Sequence, residues 1–523
     1  MKQVTDKYRN KTFAMPIMAG LLTLTMTAAE ADIIAAAWTH SVAVRNDGTV
    51  WVWGSNSNSD NPGTLLGIGG NPFNLEKIPV QINGLSGITA VAADTAHTLA
   101  LKSDGTVWAW GDNSSGQLGD GTTTSSATPV QVPGLNFVSR IFACGGASYV
   151  VTMDGMVMAW GNNTYGQLGD GTTASSSSPK IIDALYGAVS VSGAGERTFM
   201  VRNDGTVWAW GRHSSIYGNI GDGAGSNRPV PVQIPGLTDA ISVAADLYHA
   251  VVLKSDGTVW AWGDNFHGSL GNSSTNVALT PVQAAINNVS AVAAVNGATL
   301  ALQNNGSVWA WGKNTHGVIG DGTTTDRFAP VQVVGLDNVA AISGLLEHIL
   351  VMKNDGTLWA WGENYSGALG DGLNNDFRSR PEYVLGSATG GIFDLLPDVP
   401  NGELPPFPIG VNAKGLINSL NLNFELVLTG SGVQQTNNIY LGAMVGPTLY
   451  LHDGSDWVPY NGSTMPAFTT VDTWSWSYVN IPALSATDVS GLGGVNVYVG
   501  YGKDANEMFA ANRVRLVYTI PYQ

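Results

Sequence analysis

Four histidines stand at one point of a recurring pattern: His40, His97, His249 and His348. Imidazole is the side chain best suited to proton transfer or metal ligation near neutral pH, so these positions are the first to weigh for chemistry. None lies in a metal-ligand spacing such as H-x-x-x-H. At the corresponding point of other copies the chain reads Ser148, Arg197 and Ala298. A position that changes identity while its pattern persists points to packing and hydrogen bonding. Asp104, Asp204, Asp256 and Asp355 each precede a glycine, which suits a tight turn better than paired-carboxylate catalysis. The G-D-G-T stretches offer carboxylates, but without the dense alternating acids and closing glutamate of a calcium loop. The G-Q-L-G spacing lacks the Lys-Ser/Thr of a phosphate loop. No nucleophile with a base and an orienting group is legible. The lone cysteine, Cys144, rules out an internal disulfide framework and any multi-cysteine zinc site, and reads as a small buried apolar residue. The sequence therefore predicts no catalytic residue, no metal site and no cofactor.

The elements that hold these residues repeat. NDGTVWVWG closes at Gly54, and near-copies close at Gly111, Gly161, Gly211, Gly263, Gly312 and Gly362, at separations of 57, 50, 50, 52, 49 and 50 residues. Seven copies at one period signal a propeller or solenoid. Within a copy, His97-Thr-Leu-Ala-Leu-Lys102 alternates as a half-buried strand does. Ser103-Asp104-Gly105 supplies a turn, and Thr106 to Trp110 a partner strand with Trp108 and Trp110 on one face. Such strands cannot bury their faces alone, so neighbouring copies must stack. The Trp-x-Trp pairs fit that core, each ring burying about 150–250 Å². With 523 residues, 66 of them glycine and 17 tryptophan, and only 12% charged, the chain is turn-rich and aromatic-rich, unlike disorder.

The pattern H-x-L-A-L-x-x-D-G-x-V-x-x-W-G, then N-x-x-G-Q-L-G-D-G-T, then P-V-x-V-x-G-L, resembles the RCC1 repeat. It is fullest from His97 to Leu135, with Gly116 to Gly121 and Pro129 to Val132. It recurs at Gly166 to Gly171, Gly317 to Gly322 and Gly367 to Gly372. Kelch repeats share the period, but their Gly-Gly doublet is missing from most copies. The resemblance covers about residues 33 to 386 and implies a closed seven-bladed β-propeller. Closure would pair strands from opposite ends: Ile33 to Ala37 matches the opening strand, and Pro381 to Leu385 the closing one. A light-absorbing plant branch of the family carries Gly-Trp-Arg-His-Thr. The nearest stretch here, Trp210-Gly-Arg-His-Ser214, transposes the first two residues and lacks the threonine.

The flanks read differently. Lys2, Lys7, Arg9 and Lys11, an apolar run from Phe13 to Met26, and Ala29-Glu30-Ala31 form the three parts of an export signal over residues 1–31. An uncleaved anchor is the competing reading. The apolar run of 14 residues is short for a membrane span, and none is expected after cleavage. The mature start would lie near Asp32, and the net charge would move from −16 to −18 as four basic and two acidic residues leave. Few cysteines in an exported chain favour a bacterial envelope or medium. The propeller takes residues 32–386, a Gly/Pro-rich linker 387–410, and a second all-β, sandwich-like domain 411–523. In that domain the strands are read at Leu420–Leu428, Ile439–Val445, Thr448–His452, Trp474–Ile481, Val495–Val499 and Arg513–Ile520.

An acidic chain disfavours nucleic acid and anionic lipid. What remains is a non-enzymatic, exported protein-binding or adhesion module whose partner is a protein or other envelope macromolecule. The alternatives are a secreted enzyme inhibitor, similar to an RCC1-like β-lactamase inhibitor, and guanine-nucleotide exchange by family analogy. Recognition is expected where copies differ most, between each W-G and the next loop glycine. Tyr165, Tyr217, Phe266, His267, His316 and Tyr365 fall there and would form a partial ring on one face. Trp457, Trp474 and Trp476 of the C-terminal domain are the next candidates.

Overall fold

A computed structural model describes residues 33–57, 63–69, 75–213, 219–386 and 391–395, and the backbone of nine strands between 409 and 519. The first 28 strands form seven antiparallel sheets of four, each built from consecutive strands. In the second sheet these are Ile88–Ala93, His97–Lys102, Val107–Gly111 and Ser126–Gln131. The repeat dictates this: an Asp-Gly-Thr turn joins second and third strands, and Asp104 Oδ1 accepts from the Thr106 amide at 3.0 Å and its hydroxyl at 2.6 Å. Asp204, Asp256 and Asp355 cap their turns in the same way. The turn role expected for these aspartates is the observed one. Helix is confined to short 3-10 turns such as Asp183–Leu185 among the described residues. No described helix is long and apolar enough to cross a membrane.

The first strands of successive sheets pack together, and the fourth strands are the most exposed, so the seven sheets are blades around an axis. Stacking on both sides changes one expectation. His97 to Leu101 alternates in sequence, yet all five residues are buried, because blades cover both faces of the strand. The second ring of each Trp-x-Trp pair is fully buried, as is Trp160 of blade 3, where Met158 takes the first place: Trp53, Trp110, Trp160, Trp210, Trp262, Trp311 and Trp361. Six of the seven indoles reach back to the preceding blade's loop. Trp160 Nε1 donates to Gln117 O at 2.9 Å, Trp311 to Ser269 O at 2.9 Å and Trp361 to Val318 O at 2.8 Å. The first ring is half-buried on the outer side, capped by a cation in several blades, as Arg202 caps Trp208 at 4.2 Å.

The ring closes without any blade made of strands from both ends. Ile34–Ala36 pairs with His40–Val44, and Phe377–Tyr383 with Leu358–Glu363, so each end completes its own blade. The closing strand therefore stands at Phe377–Tyr383, and the expected pairing across the ends is replaced by packing plus a clasp. Blade 7 meets blade 1 through Trp53 Nε1 to Ala368 O at 2.7 Å, Ser41 Oγ to Ala368 O at 2.9 Å, and the Ala36 amide to Ser343 Oγ at 3.0 Å. Residues 391–395, within the passage read as linker, form the clasp. The Leu395 amide donates to Gly356 O at 3.0 Å, and Leu395 O accepts from the Asn46 amide at 3.0 Å. At the blade 1–2 junction the same bonds run from Ile88 to Gly48 O (3.1 Å) and from Ser103 to Gly87 O (2.8 Å). Blade 1 opens with a strand of only three residues, and the C-terminal side supplies the contact it lacks. Phe393 is fully buried beside it, 5.3 Å from Trp51 and 6.0 Å from Trp53.

The chain divides into two compact units, Thr27–Pro405 containing the propeller and a second containing Pro406–Gln523. The second, described by itself, is all antiparallel β. Ile409–Leu416, Ser419–Leu428 and Ser477–Thr487 form one sheet. A six-stranded sheet is built on Thr436–Val445, Thr448–His452, Asn496–Gly502 and Val514–Thr519. Trp457 opens a short strand, while Trp474 and Trp476 lie outside the described residues.

Candidate functional site

The loop after each third strand is built on a buried asparagine. Asn113 is fully buried; its Oδ1 accepts from the Leu118 amide at 2.9 Å. Its Nδ2 reaches Asp120 Oδ1 at 3.1 Å, Thr122 O at 3.2 Å and Thr124 O at 3.1 Å. Asn163, Asn265, Asn314 and Asn364 repeat this arrangement. Gly116, at φ 84°, ends the turn, and a Cβ there would sit 2.5 Å from Ser177 Cα of the next blade. Asparagine and glycine thus pin the loop at both ends, leaving two positions between them free to vary. The repeat pattern carries this asparagine as the first residue of N-x-x-G-Q-L-G, but no role was read from it. Its signal was a residue kept two places beyond the glycine of W-G in six blades, Asn56 included.

Five of the six candidate residues occupy those two positions, on blades 3, 5, 6 and 7, all at the end of the blade opposite its Asp-Gly turn. Phe266 is 65% exposed and Tyr365 59%, so both stand clear of their blades. The other three are engaged. Tyr165 lies under the Arg212 guanidinium, 4.8 Å from its ring centre, and Arg212 Nη1 meets Glu196 at 3.2 Å. His267 Nδ1 is 2.7 Å from Asp326 Oδ2 of the next blade, and His316 Nδ1 is 3.7 Å from Glu363 Oε2. On these four blades the candidates are one residue or pair per blade, and three of the five described are committed to junctions. Tyr217 lies outside the described residues. Beside His316, burial and then the hydrogen bond and charge of Glu347 push the Glu363 carboxyl up to about 8. That acid pair was not foreseen, because Glu347 lies in a turn and Glu363 at the end of the strand Leu358–Glu363, brought together only by the blade.

The histidines form latches between blades. His97 Nε2 is 2.8 Å from Ser148 Oγ of the next blade, and its Nδ1 is 3.0 Å from Asp94 Oδ1. His249 repeats this with Thr299 at 2.7 Å and Asp246 at 3.0 Å. His348 meets Ser41 at 2.7 Å, and His40 meets Thr98 at 3.3 Å. The packing role expected of these histidines holds, but one equivalence needs correction. Ala147, paired to Gly161 as His97 is to Gly111, stands at the histidine position, and Ser148 is one residue further on. The three-residue geometry of Asp94, His97 and Ser148 is that of an activated nucleophile, which the sequence reading did not anticipate. Its chemistry is otherwise: the Ser148 hydroxyl donates to Gln117 O at 2.7 Å rather than to imidazole, and all three side chains are buried. Burial opposes the charge on Asp94, but the His97 contact and the Ala96 and Gly146 amides bring its pKa down to about 2. Burial lowers His40 to about 4 and His348 to about 3. Cys144 is buried, and burial pushes its thiol well up.

The acids of the G-D-G loops are held by their own blades. Asp222 pairs with Arg228 at 2.8 Å, Asp321 with Arg327 at 2.5 Å and Asp371 with Arg378 at 2.7 Å. Among the described residues no three His, Cys, Asp or Glu side chains converge as metal ligands.

Comparison with known proteins agrees with this architecture. Residues 14–294, more than half of the chain, match the RCC1-like domain, and residues 289–318 and 305–345 match the Regulator of chromosome condensation (RCC1) repeat. The zebrafish (Danio rerio) Protein RCC2 homolog is 35% identical over 89 residues, 17% of each chain. The human probable E3 ubiquitin-protein ligase HERC6 is 41% identical over 81 residues, 15% of this chain and 7% of that one. The matches thus span small parts of these curated relatives. Among solved structures, Prp20p from Saccharomyces cerevisiae, described with its binding to Gsp1p and histones, superposes at TM-score 0.59 and 20% identity. That match covers 70% of this chain and 91% of Prp20p. Human WBSCR16 superposes at 0.53 and 24% identity, covering 61% and 86%.

Proposed function

The chain belongs to the RCC1-like domain family, and from that premise we propose that it is an exported binding module whose variable loops take up a protein partner. One observation carries the reading. Five loops are built alike on a buried asparagine and a glycine, and between these anchors the residues differ from blade to blade. A rigid frame with interchangeable tips is a recognition surface, and exposed Phe266 and Tyr365 are the residue types that anchor protein interfaces. The protein-binding description of Prp20p is in keeping with a propeller used this way. Export rests on the basic and apolar segments before Ala31, and the first described strand starts at Ile34, just past that cleavage point.

The test uses two baits, the wild-type chain and a Phe266→Ala, His267→Ala, Tyr365→Ala variant, with envelope and medium of the producing cells. A partner retained by the first and lost on the second supports the reading, provided the melting temperatures agree within about 3 °C, as for surface substitutions. Equal retention on both baits refutes it. Mass spectrometry of exported material should find a mature N-terminus near Asp32; full-length chain found in the cytosol alone refutes export.

A further inference from the structure

At the end of the blades opposite the variable loops, blade 6 departs from the others in charge. Five residues after the histidine position, five of the six blades that carry a first tryptophan have a cation: Arg45, Lys102, Arg202, Lys254 and Lys353. Arg45 lies 4.3 Å from the ring centre of Trp51, and Arg202 lies 4.2 Å from that of Trp208. Lys254 and Lys353 stand over Trp260 and Trp359 at 5.9 and 5.5 Å. Two residues further on, the same blades carry an acid: Asp47, Asp104, Asp204, Asp256 and Asp355. Blade 6 keeps the tryptophan, Trp309, and loses both charges, with Gln303 in place of the cation and Asn305 in place of the acid. Its junction with blade 5 is neutral as well. Asn287 stands where the next junction has Asp337, which pairs with Lys353 at 2.5 Å.

A cavity of about 420 Å³ opens at this corner. It is lined by Trp309, Gln303 and Pro330 of blade 6, Thr258 and Gln283 of blade 5, and the junction residues 284–287, and none of these is charged. Two of the walls are fixed. The Ser307 hydroxyl accepts from Trp309 Nε1 at 3.2 Å and donates to Asn305 Oδ1 at 2.7 Å, while Gln303 Nε2 donates to Asn287 O at 2.9 Å. Two amides remain available. The Gln283 side chain is exposed and has no hydrogen-bond partner among the described residues. Asn287 Oδ1 accepts from Asn288 Nδ2 at 3.2 Å, which leaves the Asn287 Nδ2 donor unused among the described residues.

The lining decides the occupant. A cation would meet no carboxylate there and an anion no base, in a corner where five other blades carry one of each. An apolar ligand would cover the amides without pairing them. We infer that the blade 5–6 junction binds a neutral sugar, one face of its ring stacked on the Trp309 indole and its hydroxyls bonded to Gln283 and Asn287. The C–H groups on one face of a pyranose make an apolar surface that suits an indole. Each hydroxyl both donates and accepts, as an amide does. An aromatic wall with a few placed polar groups, at this volume, is the makeup of a small-molecule site.

Isothermal titration of the intact chain tests the site. The probes are neutral trisaccharides of glucose, galactose, mannose and N-acetylglucosamine, with trigalacturonate as the acidic probe and tetramethylammonium chloride as the cationic one. At least one neutral trisaccharide should bind, with an affinity that added salt leaves unchanged. Gln303→Lys with Asn305→Asp installs the pair that blades 2, 5 and 7 carry. It should weaken binding at least about tenfold, because the lysine then covers the ring, and leave the melting temperature within about 3 °C. Trp309→Met, the residue that blade 3 has at this place, should weaken it as much. The Phe266→Ala, His267→Ala, Tyr365→Ala variant should bind the sugar as the wild type does, which separates this site from the variable loops. No binding of any neutral probe, equal binding to the Gln303→Lys, Asn305→Asp variant, or tighter binding of the acidic or cationic probe overturns the inference.

Discussion

Replacing Phe393 by alanine tests whether residues 391–395 close the ring. The phenyl ring is fully buried, between Trp51 at 5.3 Å and Trp53 at 6.0 Å, with the Arg45 guanidinium 4.5 Å from its centre. Neither indole is free to fill the space left behind. Trp53 is tied to Ala368 O at 2.7 Å and Trp51 to Thr49 Oγ1 at 3.0 Å. The site cannot collapse, so the loss should reach the usual figure for a buried aromatic, about 3–5 kcal/mol. Unfolding entropy for a unit of this size is about 0.8 kcal/mol/K, so the melting temperature should fall by about 4–6 °C. Urea denaturation followed by tryptophan fluorescence should show an earlier midpoint with unchanged slope. Leu135→Ala is the control, a residue 3% exposed at the ordinary blade 2–3 junction and costing about 2–5 kcal/mol. A Phe393→Ala loss under about 1 kcal/mol, beside a full loss for Leu135→Ala, would refute the clasp. The seam would then rest on the Trp53, Ser41 and Ala36 bonds and the packing of the first strands.

Stability should fall as the pH drops from about 6.5 toward 4, measured by thermal melting. His40 and His348 keep folded pKa values of about 4 and 3, so below 6.5 the unfolded chain binds protons that the folded chain does not. The opposite slope is expected from Glu363, whose pKa near 8 means that the folded chain retains a proton the unfolded chain releases from about 4.5 upward. Glu363→Gln should therefore raise the melting temperature at pH 8 and leave it almost unchanged at pH 4; a uniform shift would show that charge is not the cause. Trp110→Ala should cost the propeller about 3–5 kcal/mol, whereas Trp457→Ala should leave the propeller's own transition in place.

Blade number, strand order and turn chemistry were legible because each is written seven times. An Asp-Gly-Thr turn is a local device, and its bonds run within two residues of Asp104, so the local sequence suffices. The latches were half legible. Recurrence marked His97 as structural, but its partner lies 51 residues away; counting back from Gly161 puts Ala147, not Ser148, at the histidine position, and the strand register agrees. The clasp was not legible. Phe393 sits in a stretch rich in glycine and proline, and its burial depends on blade 1, which is far away in sequence and close only once the ring is formed. The same limit applies to the candidate ring of loop residues. Their exposure follows from spacing, whereas the engagement of His267 by Asp326 and of His316 by Glu363 crosses blade boundaries.

Seven copies within one chain also act as controls for one another, which separates what the fold demands from what it permits. The buried tryptophan is kept in every blade because its indole fills the gap between sheets and most reach back to a loop carbonyl. Trp262 Nε1 has no acceptor among the described residues, and there the preceding loop carries an insertion around Tyr217. Positions with neither duty should drift toward polar residues, as they do at most blade ends. Phe137 runs the other way, since an exposed aromatic in a left-handed conformation adds cost without packing gain.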